Sequence, residues 1–374
     1  MAQMRGVAEA IIRQMSDVTT INTPQYKVTP PGLLNLLLNN PTPISITNLA
    51  QIREGHDRDI KLRYMRRGIP TEATEEEGCD AGNSSAYLET VVTHPLFRQI
   101  SLYISNQELQ KYYDDATAAT PLGSSVIMAE LYNRLIVKIN GLLGSIDQAL
   151  LTAMSTRWGK NAATGSSTPV TINFSTLNNV TLTDGIVKLI DQAAQNEIVG
   201  DLLLVGNGVA NTFQIASMLQ TAANSQGYQA NRWQGFRWYN DYYSTPIWGA
   251  NHFGVIAQGS AGFVTWNKNE GYSAGTQGNS YFFTLPVPVI LADGQLTNLV
   301  FDVQLKSIDC AVTIDGNTRD RGYILYVSKH FGLFTTPTDA YTPTIPAVPS
   351  VSDEIPGDRL EGTNGLLHFV GAAS

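Results

Sequence analysis

Residues 122–158 read LGSSVIMAELYNRLIVKINGLLGSIDQALLTAMSTRW and carry the pattern that decides the fold. Apolar residues recur there at steps of three and four, namely Met128, Leu131, Leu135, Ile139, Leu142, Ile146, Leu150 and Met154. This period is typical of a helix with one buried stripe. Pro121 precedes the segment, Ser124 or Ser125 can cap it, and Gly159 follows it. At about 1.5 Å per residue the predicted helix spans roughly 50 Å, a length that suits a protein holding its shape against neighbours.

The bulk composition favours a large, weakly charged protein. The chain has 374 residues, of which 43% are hydrophobic, so it can bury a substantial core in two or three domains. Charged residues make up only 15%, below the usual quarter, which favours large protein–protein contacts. The net charge is −8. Nucleic-acid binders are normally basic, so we exclude a chain that grips nucleic acid broadly.

No pattern in the sequence indicates a cofactor, a metal or a catalytic group. Cys79 and Cys310 lie far apart, which gives neither a disulfide framework nor a metal-ligand spacing. The five histidines are scattered. The N-terminal stretch MAQMRGVAEAIIRQM lacks the long apolar core and cleavage site of a signal peptide. No run approaches the length of a membrane helix. We therefore predict no enzymatic activity, no cofactor, no metal site and no membrane partner.

Residues 46–93 are predicted to form a long β-hairpin with strongly separated charges. The stretch 57–64 alternates polar and apolar residues, as a half-buried strand does, and 86–92 is the return strand. The candidate intersubunit contacts are basic on the first limb and acidic beyond the turn: Arg58, Lys61, Arg63, Arg66, Arg67, Glu75, Glu76 and Glu77. Their complementarity predicts that the hairpin of one subunit docks against that of another, since such patterns set register and partner choice. The acidic tip also admits a calcium site or a simple solvated surface.

The other segments predict an α+β architecture. The predicted parts are an N-terminal arm at 1–45, helical pieces at 94–121, a polar connector at 159–169, a mixed α/β block at 170–300, and strands with a Pro- and Thr-rich connector at 301–374. Within the arm, the apolar run 32–38 is expected to pack on the main body or on another subunit.

Two further patterns have a plain structural interpretation and a functional alternative. The turn 205–211 follows a strand and opens a helix, but the third glycine of a dinucleotide-binding loop is missing. A dense aromatic cluster consists of Trp233, Phe236, Trp238, Tyr239, Tyr242, Tyr243 and Trp248. It is typical of core packing with some interface contribution, and the alternative is a sugar-binding face.

This order of parts resembles the major capsid proteins of tailed bacteriophages with the Hong Kong 97-type fold. Local stretches that carry the resemblance are Gly78-Cys79-Asp80, residues 154–165, residues 201–211, Phe301-Asp302-Val303 leading to Asp309-Cys310, and Asn364-Gly365-Leu366-Leu367. The resemblance implies an N-terminal arm (1–45), an extended-loop β-hairpin (46–93), a peripheral domain (94–169) with a spine helix (122–158), an axial domain (170–300), and return strands with a C-terminal extension (301–374).

The function that the resemblance implies is self-assembly into an icosahedral shell around packaged double-stranded DNA. The expected partners are copies of the chain in pentamers and hexamers, with portal, scaffold or decoration proteins and DNA bound without sequence specificity. The expected location is the virion, after assembly in the host cytoplasm. One alternative is an encapsulin-type compartment that shares the fold, and another is a carbohydrate-binding or hydrolytic globular protein. Reversing Arg63, Arg66 and Arg67 to glutamate is expected to impair shell closure.

Overall fold

The computed structural model describes most of the chain. The described residues are 2–15, 27–55, 58–65, 88–117, 126–161, 164–173, 179–196, 198, 200–207, 232–233, 236–268, 275–308, 312–314, 317–319, 321–337 and 363–372.

Helices and strands are mixed along the described part of the chain, which confirms the predicted α+β class. The helices are α1 (Ala2–Met15), α2 (Gly32–Asn39), α3 (Leu49–Glu54), α4 (Asn106–Thr117), α5 (Val126–Met154), α6 (Asn179–Gln195) and α7 (Ser244–Trp248). The strands are β1 (Ile44–Ile46), β2 (Ile60–Met65), β3 (Leu88–Thr93), β4 (Leu96–Ile104), β5 (Val170–Asn173), β6 (Leu202–Gly206), β7 (Arg232–Trp233), β8 (Phe236–Asn240), β9 (His252–Ile256), β10 (Ala261–Trp266), β11 (Gly275–Gln277), β12 (Ser280–Ile290), β13 (Leu296–Ile308), β14 (Val312–Ile314), β15 (Asn317–Arg319), β16 (Gly322–Thr335) and β17 (Leu366–Ala372).

The long helix α5 confirms the buried stripe read from the sequence. Between Leu131 and Met154 the residues of that stripe are buried, most of them completely. The helix ends at Met154 and not at the predicted Trp158. Its last turn tightens because the Arg157 amide donates to the Met154 carbonyl, while the Ser155 hydroxyl bonds back to Thr152. The predicted start at Leu122 lies outside the described residues.

The expectation that no segment reaches membrane-spanning length is corrected by α5. Its stretch Glu130–Met154 is long and apolar enough to cross a bilayer by length and composition alone. However, 61% of the most apolar part is buried inside the protein. We therefore interpret α5 as a core helix, since a helix that is apolar on most faces is also what a buried core needs.

The chain divides into two compact units. The first comprises Met1–Pro30, Leu96–Ile146 and Thr265–Phe331. It is built on long antiparallel strands in the order β16-β13-β12-β11, and β4 pairs with β16 from Leu96 to Ile104. Helix α1 packs on α4 and β12. Helix α4 confirms a helical piece within residues 94–121, whereas β4 is a strand that was not predicted there, and its nine residues are stabilised by pairing with a distant segment.

The second unit comprises Pro31–Pro95, Asp147–Val264 and Gly332–Ser374. It contains a sheet in the order β5-β17-β9-β6-β8-β7 and a smaller sheet β1-β2-β3. The last strand, β17, is inserted between β5 and β9, parallel to the first and antiparallel to the second. Side chains from six segments form one core: Ile172, Leu189, Leu204, Phe236, Phe253, Val255, Leu367 and Phe369. The C-terminal segment is therefore part of this core.

Candidate subunit interface

The paired strands β2 and β3 present one buried and one exposed face. On β2, Ile60, Leu62 and Tyr64 are buried, whereas Lys61 and Arg63 between them are exposed. This alternation follows from the two-residue period of a strand. The structure confirms that the alternating segment predicted from the sequence is a half-buried strand.

The exposed face carries a basic stripe, defined here as Lys61 and Arg63, and the exposed Arg58 lies just before β2. In the antiparallel register Lys61 lies opposite Val92 and Arg63 opposite Thr90. Arg63 also lies opposite Ser45 on β1. Val92 is 53% exposed, which makes it one of the more exposed large apolar side chains in the described chain. The positive charge of the stripe therefore lies beside the exposed apolar side chain of Val92, a mixture typical of non-obligate protein interfaces.

The other candidate contacts lie outside the described residues. These are Arg66, Arg67, Glu75, Glu76 and Glu77, all within the connection between β2 and β3. The complementarity between basic limb and acidic tip therefore stays a prediction. Within the described part, Met65 pairs with Leu88, so the two strands are still in register where that connection begins.

A polar anchor that the sequence analysis missed fixes the start of β2. The Asn48 side-chain amide donates to the Asp59 carbonyl at 2.8 Å, and its oxygen accepts the Lys61 amide at 2.9 Å. The Thr47 amide donates to the Lys61 carbonyl at 2.9 Å. Asn48 is buried, so one side chain satisfies main-chain groups on both sides of Ile60. These hydrogen bonds fix the start of β2 and therefore the position of the Lys61 and Arg63 side chains.

A second missed anchor lies at the end of β3. The Thr93 hydroxyl and the Arg157 guanidinium both donate to the Leu333 carbonyl, at 3.0 and 2.9 Å. Tyr64 packs against Phe334, with ring centroids 5.0 Å apart. Burial lowers the pKa of Arg157. Its guanidinium, just after the end of α5, donates to the Leu333 carbonyl and to the Thr93 hydroxyl. No short motif marks Asn48, Thr93 or Arg157, because their partners are distant main-chain atoms.

Truncating the Asn48 anchor is expected to loosen β2 without unfolding the protein. In Asn48→Ala two main-chain groups lose their partner, and each buried unpaired group costs about 1–3 kcal/mol. We expect a lower urea midpoint with an unchanged slope, and faster hydrogen exchange at the Lys61 amide. The control Thr47→Ala removes only the bond from an exposed hydroxyl to the Lys61 carbonyl, so its loss should be smaller. Equal stability of all three proteins would contradict the anchor.

Four of the seven residues of the aromatic cluster lie in the core. Phe236, Trp238, Tyr239 and Trp248 are all buried, whereas Tyr242 is 65% exposed. The Trp248 indole donates to the Leu151 carbonyl at 3.1 Å. A sugar-binding face needs several exposed rings, and these four side chains are not available for one. Their placement supports the core-packing interpretation.

Two histidines that are far apart in the sequence meet on the second unit's larger sheet. His252 on β9 and His368 on β17 bring Nδ1 and Nε2 to 3.0 Å. Trp158 stacks on His368 with ring centroids 4.7 Å apart. Gly254 leaves room for the Trp158 ring, which a Cβ would approach to 2.6 Å. Burial first and His252 second lower the pKa of His368 to about 4. Among the described residues, no group of three or more His, Cys, Asp or Glu side chains could hold a metal ion.

The histidine pair predicts a loss of stability in acid. His368 is neutral in the folded protein down to about pH 4, whereas an unfolded histidine binds its proton near pH 6.5. Its contribution is therefore present above about pH 6.5 and is lost as the pH falls towards 4, on the order of 3 kcal/mol at most. We expect His368→Gln to flatten this part of the pH–stability curve. Denaturant unfolding of the wild type and of His368→Gln between about pH 4 and 7 measures this slope, and equal slopes would contradict the prediction.

Comparison with known proteins gives similarities to phage chains at low sequence identity. No protein-family model and no curated protein matches the sequence. A chain from Mycobacterium phage Cain is 12% identical, with a TM-score of 0.44 over 99% of this chain and 98% of that chain. A chain from Mycobacterium phage Bobi is 10% identical, with a TM-score of 0.44 over 97% and 98%. The cyanophage A-1(L) capsid chain is 12% identical, with a TM-score of 0.44 over 94% and 95%.

Proposed function

We propose that this chain is the major capsid protein of a tailed bacteriophage with the Hong Kong 97-type fold. Its function is to assemble with copies of itself into an icosahedral shell around packaged double-stranded DNA. The observation that carries the proposal is the two-faced hairpin. One face is anchored to its own subunit through Ile60, Leu62 and Tyr64, and the other presents a basic stripe. A surface of this kind suits a neighbouring subunit.

The second support is the combination of a long helix with long antiparallel strands. Helix α5 has 29 residues, and β13 and β16 have 13 and 14, well above the averages of about 11–12 and 5–6. Extended elements of this kind suit a subunit that must stay rigid while it contacts its neighbours. In the proposal, α5 is the spine of the peripheral domain, residues 46–93 are the extended loop, and residues 170–300 contribute the axial domain.

Assembly follows from geometry and not from chemistry in this proposal. Each subunit buries large, moderately polar interfaces, and closed symmetry adds many modest contacts. The chain has no enzymatic role. Its net charge of −8 suits a container that does not hold DNA tightly. Assembly takes place in the host cytoplasm and the product is part of the virion. A portal, a scaffold or decoration proteins complete the set of partners.

Sedimentation of the purified chain over a wide concentration range tests the proposal. We expect discrete species of five and six copies, and fast-sedimenting particles at high concentration. Particles from infected cells should protect double-stranded DNA from nuclease. Particles that contain protein cargo and no DNA would favour an encapsulin-type compartment instead. A chain that stays monomeric at every concentration, and that binds a sugar saturably or hydrolyses a substrate, would rule out both the capsid and the encapsulin-type compartment.

A further inference from the structure

Two buried carboxyl groups meet at the first turn of α2. The Leu33 amide donates to Asp241 Oδ2 at 2.9 Å, and the Leu34 amide donates to Asp147 Oδ1 at 2.7 Å. Asp241 follows β8 and Asp147 lies on α5. Their exposed fractions are 1% and 0%. Helix α2 therefore begins on two acids from distant parts of the chain, where its unpaired amides and dipole favour negative charge.

The fit between α2 and these acids is close. A Cβ on Gly32 would overlap the Asp241 Cβ and come to 2.7 Å from the Asn240 carbonyl oxygen. Asp241 Oδ1 accepts the Tyr243 amide at 3.0 Å. Three of the four carboxyl oxygens thus accept a main-chain amide. The fourth, Asp147 Oδ2, is buried without a hydrogen bond to any described residue.

The hydrogen-bond donors around the two acids can stabilise about one negative charge. No lysine or arginine of the described chain forms a salt bridge with either acid, and α2 itself carries no charged residue. Tyr243 is a titratable side chain near both carboxyl groups: Tyr242 first, burial second and then the two acids raise its pKa. A second carboxylate would be buried beside the first without a counter-charge, which is strongly unfavourable. One proton on the pair removes this cost.

We propose that Asp147 and Asp241 act as a one-proton latch, which keeps α2 seated while the pair holds its proton and loosens residues 31–40 when that proton is lost. The pair behaves as a unit, as close carboxyl groups do. Burial first and the charge of Asp241 second raise the pKa of Asp147 well above its usual range, and burial raises that of Asp241. If the chain is a capsid protein as proposed above, residues 31–40 belong to its arm, and the latch makes the seating of that arm respond to pH.

The sign of the effect follows from proton binding. A carboxyl with a raised pKa in the folded state binds its proton there over a pH range in which the opened state, with a pKa near 3.9, does not. Opening of α2 therefore releases a proton. Its equilibrium constant should rise about tenfold per pH unit from near pH 4 up to the raised pKa, and then level off.

Hydrogen exchange and infrared spectroscopy of the full chain test the latch. In the wild type we expect the opening of residues 33–36, corrected for the intrinsic exchange rate, to follow that pH profile. Asp147→Asn keeps an acceptor for the Leu34 amide and gains a donor toward Asp241, so its opening should not rise with pH. The matched control Asp191→Asn removes an exposed aspartate on α6 and should follow the wild type.

Infrared spectroscopy of the wild type gives a result that does not depend on folding defects in a variant. We expect a protonated-carboxyl band in the wild type to persist well above the pH at which ordinary aspartates ionise, and to be absent in Asp147→Asn. A band that disappears together with those of ordinary carboxyl groups would overturn the latch. So would a pH profile of α2 opening that Asp147→Asn shares with the wild type. Neither measurement depends on particle assembly, so failure of the latch is distinct from failure of the capsid proposal.

Discussion

Reversing the charge of the basic stripe is expected to stop closed shells from forming while the subunit stays folded. In Lys61→Glu/Arg63→Glu both new side chains lie on the exposed face of β2, so unfolding free energy should change by only about 0.5 kcal/mol per site. Like charges across an interface cost several kcal/mol, and each 1.4 kcal/mol lowers an association constant about tenfold. We therefore expect particle yield to fall by tenfold or more, as measured by sedimentation.

The matched control changes the same total charge elsewhere. Lys111 on α4 and Lys306 on β13 are exposed, and Lys111→Glu/Lys306→Glu should assemble much better than the hairpin variant. Normal particles from the hairpin variant would contradict docking of the hairpin by charge. Adding salt to the wild type should also weaken assembly, because interactions between exposed charges are screened beyond about 10 Å at an ionic strength of about 0.1 M.

Truncating Phe369 is expected to produce the largest loss of stability among the variants considered. Phe369 on β17 is fully buried and stacks on Phe253 of β9 with centroids 5.5 Å apart. Phe→Ala in a packed core costs about 3–5 kcal/mol, through lost burial and the cavity left behind. Denaturant unfolding of Phe369→Ala should show this loss. Hydrogen exchange should rise first in β17 and its neighbours β5 and β9.

Two comparisons separate cavity formation from a general aromatic effect. Phe369→Leu fills most of the volume, so its loss should be smaller. Tyr242→Ala removes an exposed aromatic ring from the same unit and should change stability by only about 0.5 kcal/mol. If Phe369→Ala were no less stable than Tyr242→Ala, β17 would not belong to the core of this unit.

Local patterns in the sequence predicted the elements whose structure depends on their own residues. The stripe of α5 follows from its three- and four-residue spacing, and β2 follows from strict alternation around Lys61 and Arg63. In each case one periodic segment has a single buried face, so the burial pattern is visible without knowing the partner.

Elements that depend on distant partners could not be read in this way. Strand β4 is stabilised along its length by β16, which lies more than 200 residues later. The strand β12 contains Pro286 and Pro288, which normally argue against a strand. Pro286 and Pro288 are two residues apart, so both backbone nitrogens point to the same edge of β12. Strand β11 pairs with that edge only at Ser280–Phe282. The prolines therefore break no ladder bond to the described β11.

The candidate contacts were only partly open to prediction. The basic stripe was predicted because exposed charges alternate with apolar residues on one strand. The anchors Asn48, Thr93 and Arg157 were missed because they bind main-chain carbonyls and amides that the fold brings near. The acid pair was missed for the same reason, since Asp147 and Asp241 are far apart in the sequence and both accept amides of α2. The domain boundaries and the docking of the acidic tip stay predictions.

Electron microscopy of assembled protein tests the central claim most directly. The account predicts closed particles built from pentamers and hexamers, in which the hairpin of each subunit lies on a neighbouring copy and its basic stripe faces that neighbour. Isolated subunits under every assembly condition would contradict it, as would particles whose subunits touch through other surfaces and leave the stripe in solvent.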